Sequence, residues 1–215
     1  MDILSFLFII IIFLFSVVIH EVAHGAAANA LGDPTAKMAG RLTLNPIKHL
    51  DPVGSILVPG FLLTLSMVSG TGIIFGWAKP VPINPHNFKD QKYGEAKSAA
   101  AGPLANIAVA VFFGILLRLM PITAMSSLAA FYMVFSLIVY VNLLLALFNL
   151  IPIPPLDGHH ILFAFLPPSA TNFKIFLFRY GMFILLFLLF FGGLRIIFPI
   201  INYFFYLIVG SPMLL

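Results

Sequence analysis

The chain has 215 residues, of which 61% are hydrophobic and only 8% charged; a soluble domain carries about 25% charged residues, so lipid must cover much of this surface. The net charge of +4 does not indicate a nucleic-acid partner, because the basic residues lie in short loops between apolar runs, the pattern of cytoplasmic membrane loops. With no cysteine, disulfides, zinc ribbons and thiol catalysis are excluded, and any metal must be held by His, Asp or Glu.

The first predicted element is a membrane helix from Ile3 to about Leu31, ended by Gly32-Asp33-Pro34. At ~1.5 Å per residue it is longer than a ~30 Å hydrocarbon core. Its start does not match a secretory signal: Asp2 stands where a basic region belongs, and the apolar stretch Ile3–Ile19 outruns the ~7–15 residues of such a signal. Near its C-terminal end the helix carries His20-Glu21-Val22-Ala23-His24. Residues four apart on a helix project from nearly the same face, so both imidazoles reach one metal. Glu21 lies about 100° round the helix, beside the ligands, where it can act on a water. This is the HExxH arrangement of zinc metalloproteases. The pattern also arises by chance, but here it places three ionisable groups in an apolar helix. Each would cost ~2.5–3.5 kcal/mol unpaired, and metal ligation removes that cost.

After this helix the segment Thr35–Pro52 is polar and basic, and Arg41-Leu42-Thr43-Leu44 within it alternates as a short strand does. An apolar run follows from Val53 to Trp77, broken at Pro59-Gly60 and at Gly70-Thr71-Gly72. The stretch Ala78–Lys97 is basic, and Pro80, Pro82 and Pro85 forbid a regular helix there. Further apolar runs cover Ala99–Met120, Ile122–Leu150 and Tyr180 to about Ile201. Lys37, Arg41, Lys48, Lys79, Lys89, Lys92 and Lys97 fall in the two segments 37–48 and 79–97. If both are cytoplasmic, the run between them must re-enter, with irregular backbone packed against protein or water. The alternative is a single crossing that puts one basic loop outside. Re-entry is the favoured reading. It places the N-terminus outside and the C-terminal end of the first helix at the cytoplasmic side.

A catalytic zinc needs a third ligand and an open position. Asp33, Asp51, Asp90 and Glu95 lie in polar loops, whereas Asp157 follows a membrane run and a Pro-Pro break that can present a carboxylate to the bundle. Asp157 is the expected third ligand, its alternative being the N-cap of the next short segment. Asn149, eight residues earlier, is either a helix C-cap or an amide that stabilises an oxyanion. Asn106 and Asn142 suit interhelical hydrogen bonds. His159 and His160 are near Asp157 in sequence, but three ligands suffice without them.

Five stretches, in order, resemble the site-2 protease family of intramembrane zinc metalloproteases, in its small branch without a PDZ domain. They are His20-Glu21-Val22-Ala23-His24-Gly25; Gly40–Pro46 with Asp51-Pro52-Val53-Gly54; Gly76–Pro85; Ala101-Gly102-Pro103-Leu104-Ala105-Asn106; and Asn149–Gly158. The resemblance implies His20, His24 and Asp157 as ligands of one zinc ion, Glu21 as general base and Asn149 as a polar group assisting the transition state. It implies a β element around Arg41, Leu42, Thr43 and Leu44 that pairs with extended substrate, and Asn106 is grouped with these as substrate-contacting. His159 and His160 stand where the family usually has a small residue and then Arg.

The expected protein is therefore an all-α polytopic membrane protein, one domain over residues 1–215. It has about five apolar membrane segments, one of them re-entrant in the favoured reading, and a short β element after the first helix. Its expected function is hydrolysis of peptide bonds in or near transmembrane segments of membrane-protein substrates. It would sit in the cell membrane, its site within the bilayer nearer the cytoplasm. The rival reading is a metal or ion transporter, since intramembrane His and Asp with broken helices also describe ion pathways.

Overall fold

The computed structural model describes residues 3–51, 54, 57, 79–120 and 128–211. Among these the chain is all-helical: α1 (Ile3–Ala30), α2 (Thr35–Met38), α3 (Gly94–Leu119), α4 (Ala129–Asn149), α5 (Gly158–Phe165), α6 (Thr171–Phe190) and α7 (Ile197–Val209), with short 3₁₀ turns between several of them. Among the described residues, four helical stretches are long and apolar enough to cross a membrane: Phe8–Ala30, Gly94–Leu119, Ala129–Asn149 and Pro168–Phe190. Their outward faces carry exposed Phe, Leu and Ile, such as Phe112, Phe183 and Phe187, which suits contact with lipid. The run expected at 53–77, re-entrant or crossing, lies outside the described residues.

Helix α3 is the centre of the molecule, packing on α1, α4, α5 and α7. Its first half is built of small residues, Ala99-Ala100-Ala101-Gly102, which let a neighbouring backbone come close where no water is available to drive association. Away from that end the core is apolar: Ala110 and Leu117 of α3, Val139 and Leu143 of α4, and Ile201, Phe205 and Val209 of α7. A Cβ at Gly114 would stand 2.2 Å from Ile208 Cγ2, so this glycine is what allows α7 to close on α3. Helix α6 meets the body through Phe178, edge-on to His159.

Two expectations are corrected. No strand forms over Arg41–Leu44, and no strand occurs among the described residues. A strand needs a ladder partner for its backbone. The chain beside it, at Lys79 and Pro80, takes the Arg41 guanidinium on its carbonyls instead, at 2.6 and 3.4 Å. The last run, expected to be continuous from Tyr180 to Ile201, breaks at Gly192, whose φ is +83°; α7 is a separate helix beyond it.

The C-terminal end of α1 organises the loops. Gly32 takes a φ of +114°, and the turn it makes buries Asp33 completely. The Asp33 carboxylate accepts from Thr35 N–H (3.1 Å), the Thr35 hydroxyl (2.5 Å), Asn84 N–H (2.7 Å) and the Asn87 amide (2.8 Å). Lys89 N–H reaches Leu31 O at 3.1 Å and Lys79 N–H reaches His49 O at 2.9 Å. The stretch 79–89 is thereby strapped across the end of α1. Burial opposes the charge on Asp33, but these four donors outweigh it and hold its carboxyl below the usual range. A group with a depressed folded pKa contributes stability that is present above its unfolded value, ~3.9, and that is lost as pH falls through the folded value. Asp33→Ala should cost about 1–3 kcal/mol, because Asn84 N–H loses its partner. Thermal unfolding in detergent should show that loss at pH 7 and a smaller one in strong acid.

Candidate metal centre

His20 and His24 face α3 and the turn that precedes α5. Their Nε2 atoms are 2.9 Å apart, and Asp157 Oδ2 lies 3.0 Å from the first and 3.2 Å from the second. Both histidines are almost wholly buried, at 6% exposure each. Three features of the chain bring the aspartate in: α4 ends at Asn149, the Pro-rich stretch 152–155 forbids helix, and α5 restarts at Gly158. A Cβ on Gly158 would stand 2.3 Å from Leu150 O, so only glycine lets α5 begin so close under the end of α4.

What lies behind the rings decides what their inner faces can bind. His20 Nδ1 is 2.6 Å from Asn106 Oδ1, and His24 Nδ1 is 2.8 Å from Ser98 O. The Asn106 amide nitrogen already donates to Ser16 O (3.1 Å) and Asn142 Oδ1 (2.8 Å), so its oxygen must be the atom that faces His20. Asn142 in turn donates to Ser16 Oγ and Ile138 O. Both ring partners are acceptors only, so each ring spends its proton on Nδ1. The two Nε2 atoms then offer lone pairs, and Asp157 Oδ2 offers a third. Three acceptors face one another at 2.9–3.2 Å with no donor between them. A cation resolves that arrangement. A tetrahedral zinc with ~2.0–2.1 Å bonds sets its ligand atoms about 3.3 Å apart, close to the spacing present. The three residues can hold a metal ion.

Gly102 is the floor of the site. A Cβ there would lie 2.4 Å from His24 Nε2 and 2.7 Å from His20 Cε1. Beside the three residues opens a cavity of ≈ 310 Å³, lined among others by Glu21, His24, Asp157, Val81, Glu95 and His160. Glu21 Oε2 accepts from Val81 N–H at 2.8 Å. Glu95 and His160 pair across the cavity wall at 3.1 Å.

Sequence reasoning placed His20, Glu21, His24 and Asp157 together, and so they stand. Asn106 does not contact the cavity as a substrate residue would; it is wholly buried behind His20, and its position in the small-residue half of α3 makes it a support for the ring. Asn149 is not among the cavity's lining residues, and its amide donates to Leu145 O at 3.0 Å. Arg41, Leu42, Thr43 and Leu44 do not line the cavity either; Arg41 braces the strap and Leu44 is 59% exposed. His159 turns away, its Nδ1 on Leu156 O at 2.6 Å. Ser98, Gly102, Val81 and Glu95 escaped sequence reasoning. Ser98 and Val81 act through backbone atoms, which leave no side-chain signature. Asn106→Ala should weaken zinc binding ~10–100-fold, the usual effect of removing a ring's outer partner, as measured by competition with a chelator.

The comparisons with known proteins agree with this geometry. The model of peptidase family M50 matches residues 119–188. Over 167 residues, 76% of this chain and 71% of the relative, the chain is 42% identical to YwhC of Bacillus subtilis, named as a candidate zinc metalloprotease. It is 29% identical over 167 residues to Rip2 of Mycolicibacterium smegmatis, which carries the same designation, and the match spans 60% of that relative. A third so designated, from Methanocaldococcus jannaschii, is 38% identical over 109 residues, half of its length. No solved structure matches the chain.

Proposed function

The chain belongs to peptidase family M50 and is an intramembrane zinc metalloprotease, and from that premise we propose that it hydrolyses peptide bonds in or near the transmembrane segments of other membrane proteins, with one zinc ion held by His20, His24 and Asp157. The observation that carries the reading is the meeting of three acceptor atoms within 3.2 Å of one another, two of them on buried histidines, in a membrane helix bundle, with Glu21 on the wall of the same cavity. When bound, zinc supplies a Lewis acid that polarises the scissile carbonyl and lowers the pKa of an attacking water toward ~7.

The chain's own residues do the rest. His20 and His24 are held in one tautomer by Asn106 and Ser98. Glu21 takes a proton from the attacking water and passes it to the leaving amine. Gly102 and the small face of α3 keep the floor of the site narrow. A helical peptide bond is shielded by its own hydrogen bonds, so the substrate unwinds locally and enters the cavity extended. The oxyanion role of Asn149 requires its amide to leave Leu145 O and turn toward the cavity. Arg41, Leu42, Thr43 and Leu44 serve substrate only from outside the cavity, as an approach surface.

The proposal treats residues 1–215 as one catalytic unit with its site within the bilayer, nearer the cytoplasmic side. Support comes from the two basic segments, 37–48 and 79–97, which meet at the same end of the bundle through Lys79 N–H on His49 O; clusters of Lys and Arg mark the cytoplasmic face. The test is reconstitution into liposomes with a single-span substrate. Cleavage should stop when zinc is chelated and return when zinc is restored. Zinc flux across the liposome without cleavage would replace this reading by the transporter.

A further inference from the structure

Residues 79–84 read Lys-Pro-Val-Pro-Ile-Asn, and the alternating prolines determine what each edge of this stretch can do. Proline has no N–H, and a residue that precedes proline is held extended. In extended backbone, residues two apart present their hydrogen-bonding groups to the same edge. Lys79, Val81 and Ile83 therefore carry their donors on one edge; on the other, Pro80 and Pro82 have none, and the N–H of Asn84 is taken by Asp33.

Part of this stretch reaches the metal centre. Pro80, Val81 and Ile83 line the cavity together with Glu21, His24 and Asp157. Lys79 N–H is taken by His49 O at 2.9 Å. Val81 N–H donates to Glu21 Oε2 at 2.8 Å, so the group that must accept the proton is tied to the strap. Ile83 N–H has no partner among the described residues. Arg41 on Lys79 O and Asp33 on Asn84 N–H fix the stretch at both ends, so these donors are held in place.

We propose that this edge docks the extended backbone of the substrate and that docking releases the base. One substrate carbonyl takes Val81 N–H from Glu21, and a second, two residues away, takes Ile83 N–H. Glu21 is then free to accept the proton of the attacking water. The inference rests on the protease reading and adds to it a restraint on Glu21 that only substrate lifts.

Val81→Pro and Ile83→Pro each remove one donor while keeping the backbone extended. Kinetics on a single-span substrate should show KM raised about tenfold by Ile83→Pro, the scale of one hydrogen bond, and by less for Val81→Pro, which also removes the bond to Glu21 that substrate has to displace. The kcat should stay within about threefold, because Glu21 is unrestrained in the complex whether or not Val81 carries an N–H. If Val81 N–H instead positions Glu21 throughout catalysis, Val81→Pro lowers kcat at unchanged KM and Ile83→Pro changes neither; that result overturns the proposal. Zinc content checks folding, and a variant that loses zinc is replaced by the α-hydroxy acid at the same position, which exchanges only the N–H. Failure of the unmodified protein to cleave would sink the protease reading itself, whereas cleavage with both KM values unchanged sinks this inference alone.

Discussion

Glu21→Gln protein is expected to bind zinc as the unmodified protein does and to lose cleavage by about 10²–10⁴-fold, the range supplied by a positioned general base. The two parts of this result have separate physical causes. Zinc binding depends on His20, His24 and Asp157, whose ligand atoms lie within 3.2 Å of one another and do not include Glu21. The glutamine keeps an oxygen that can still accept from Val81 N–H, 2.8 Å from the carboxylate it replaces, so the strap stays docked. What disappears is the capacity to take a proton. Metal analysis of the purified variant together with single-turnover cleavage gives both numbers. Unchanged cleavage would remove Glu21 from the chemistry, and loss of zinc would make it a structural residue of the metal centre.

Gly102→Ala should abolish tight zinc binding although it touches no ligand chemically. The added methyl carbon would stand 2.4 Å from His24 Nε2 and 2.6 Å from His24 Cε1, well inside contact distance. Either α3 backs away from α1 or the ring turns. Ring rotation breaks the bond from Nδ1 to Ser98 O and moves Nε2 out of the cluster. Since loss of an outer partner alone costs ~10–100-fold in metal affinity, displacement of a ligand atom should cost at least the upper end of that range. Zinc titration against a competing chelator measures it, with α-helix content by circular dichroism as the control for folding. Full zinc affinity in this variant would show that α1 and α3 are not held as close as the structure places them.

The two predictions probe features with different visibility in sequence. Glu21 could be read directly, because HExxH on an apolar helix sets the spacing of both rings and the base by helix geometry alone. Asp157 was legible for a different reason: a lone carboxylate after a membrane run and a Pro-Pro break is costly unless something uses it. Asn106 and Asn142 were visible as polar residues in apolar runs, but which partner each would find was not. Asn106, expected among the substrate contacts, stands behind His20. The strand expected over Arg41–Leu44 failed because alternation of side chains says nothing about whether a neighbouring backbone will be there to pair.

By itself the sequence determined the class of molecule, three of the four long membrane helices among the described residues, and the spacing of His20, Glu21 and His24 on one helix, since composition and local helix periodicity act over a few residues and need no neighbour. Only the tertiary structure decided the tautomers of the two rings, the need for glycine at 102, and the strap that ties Val81 to Glu21. Each of these depends on the distance between backbones that are far apart in the chain, such as His24 and Ser98 or Glu21 and Val81. Such distances are set by how α1, α3 and the loop between them pack, and no local pattern of residue types encodes them.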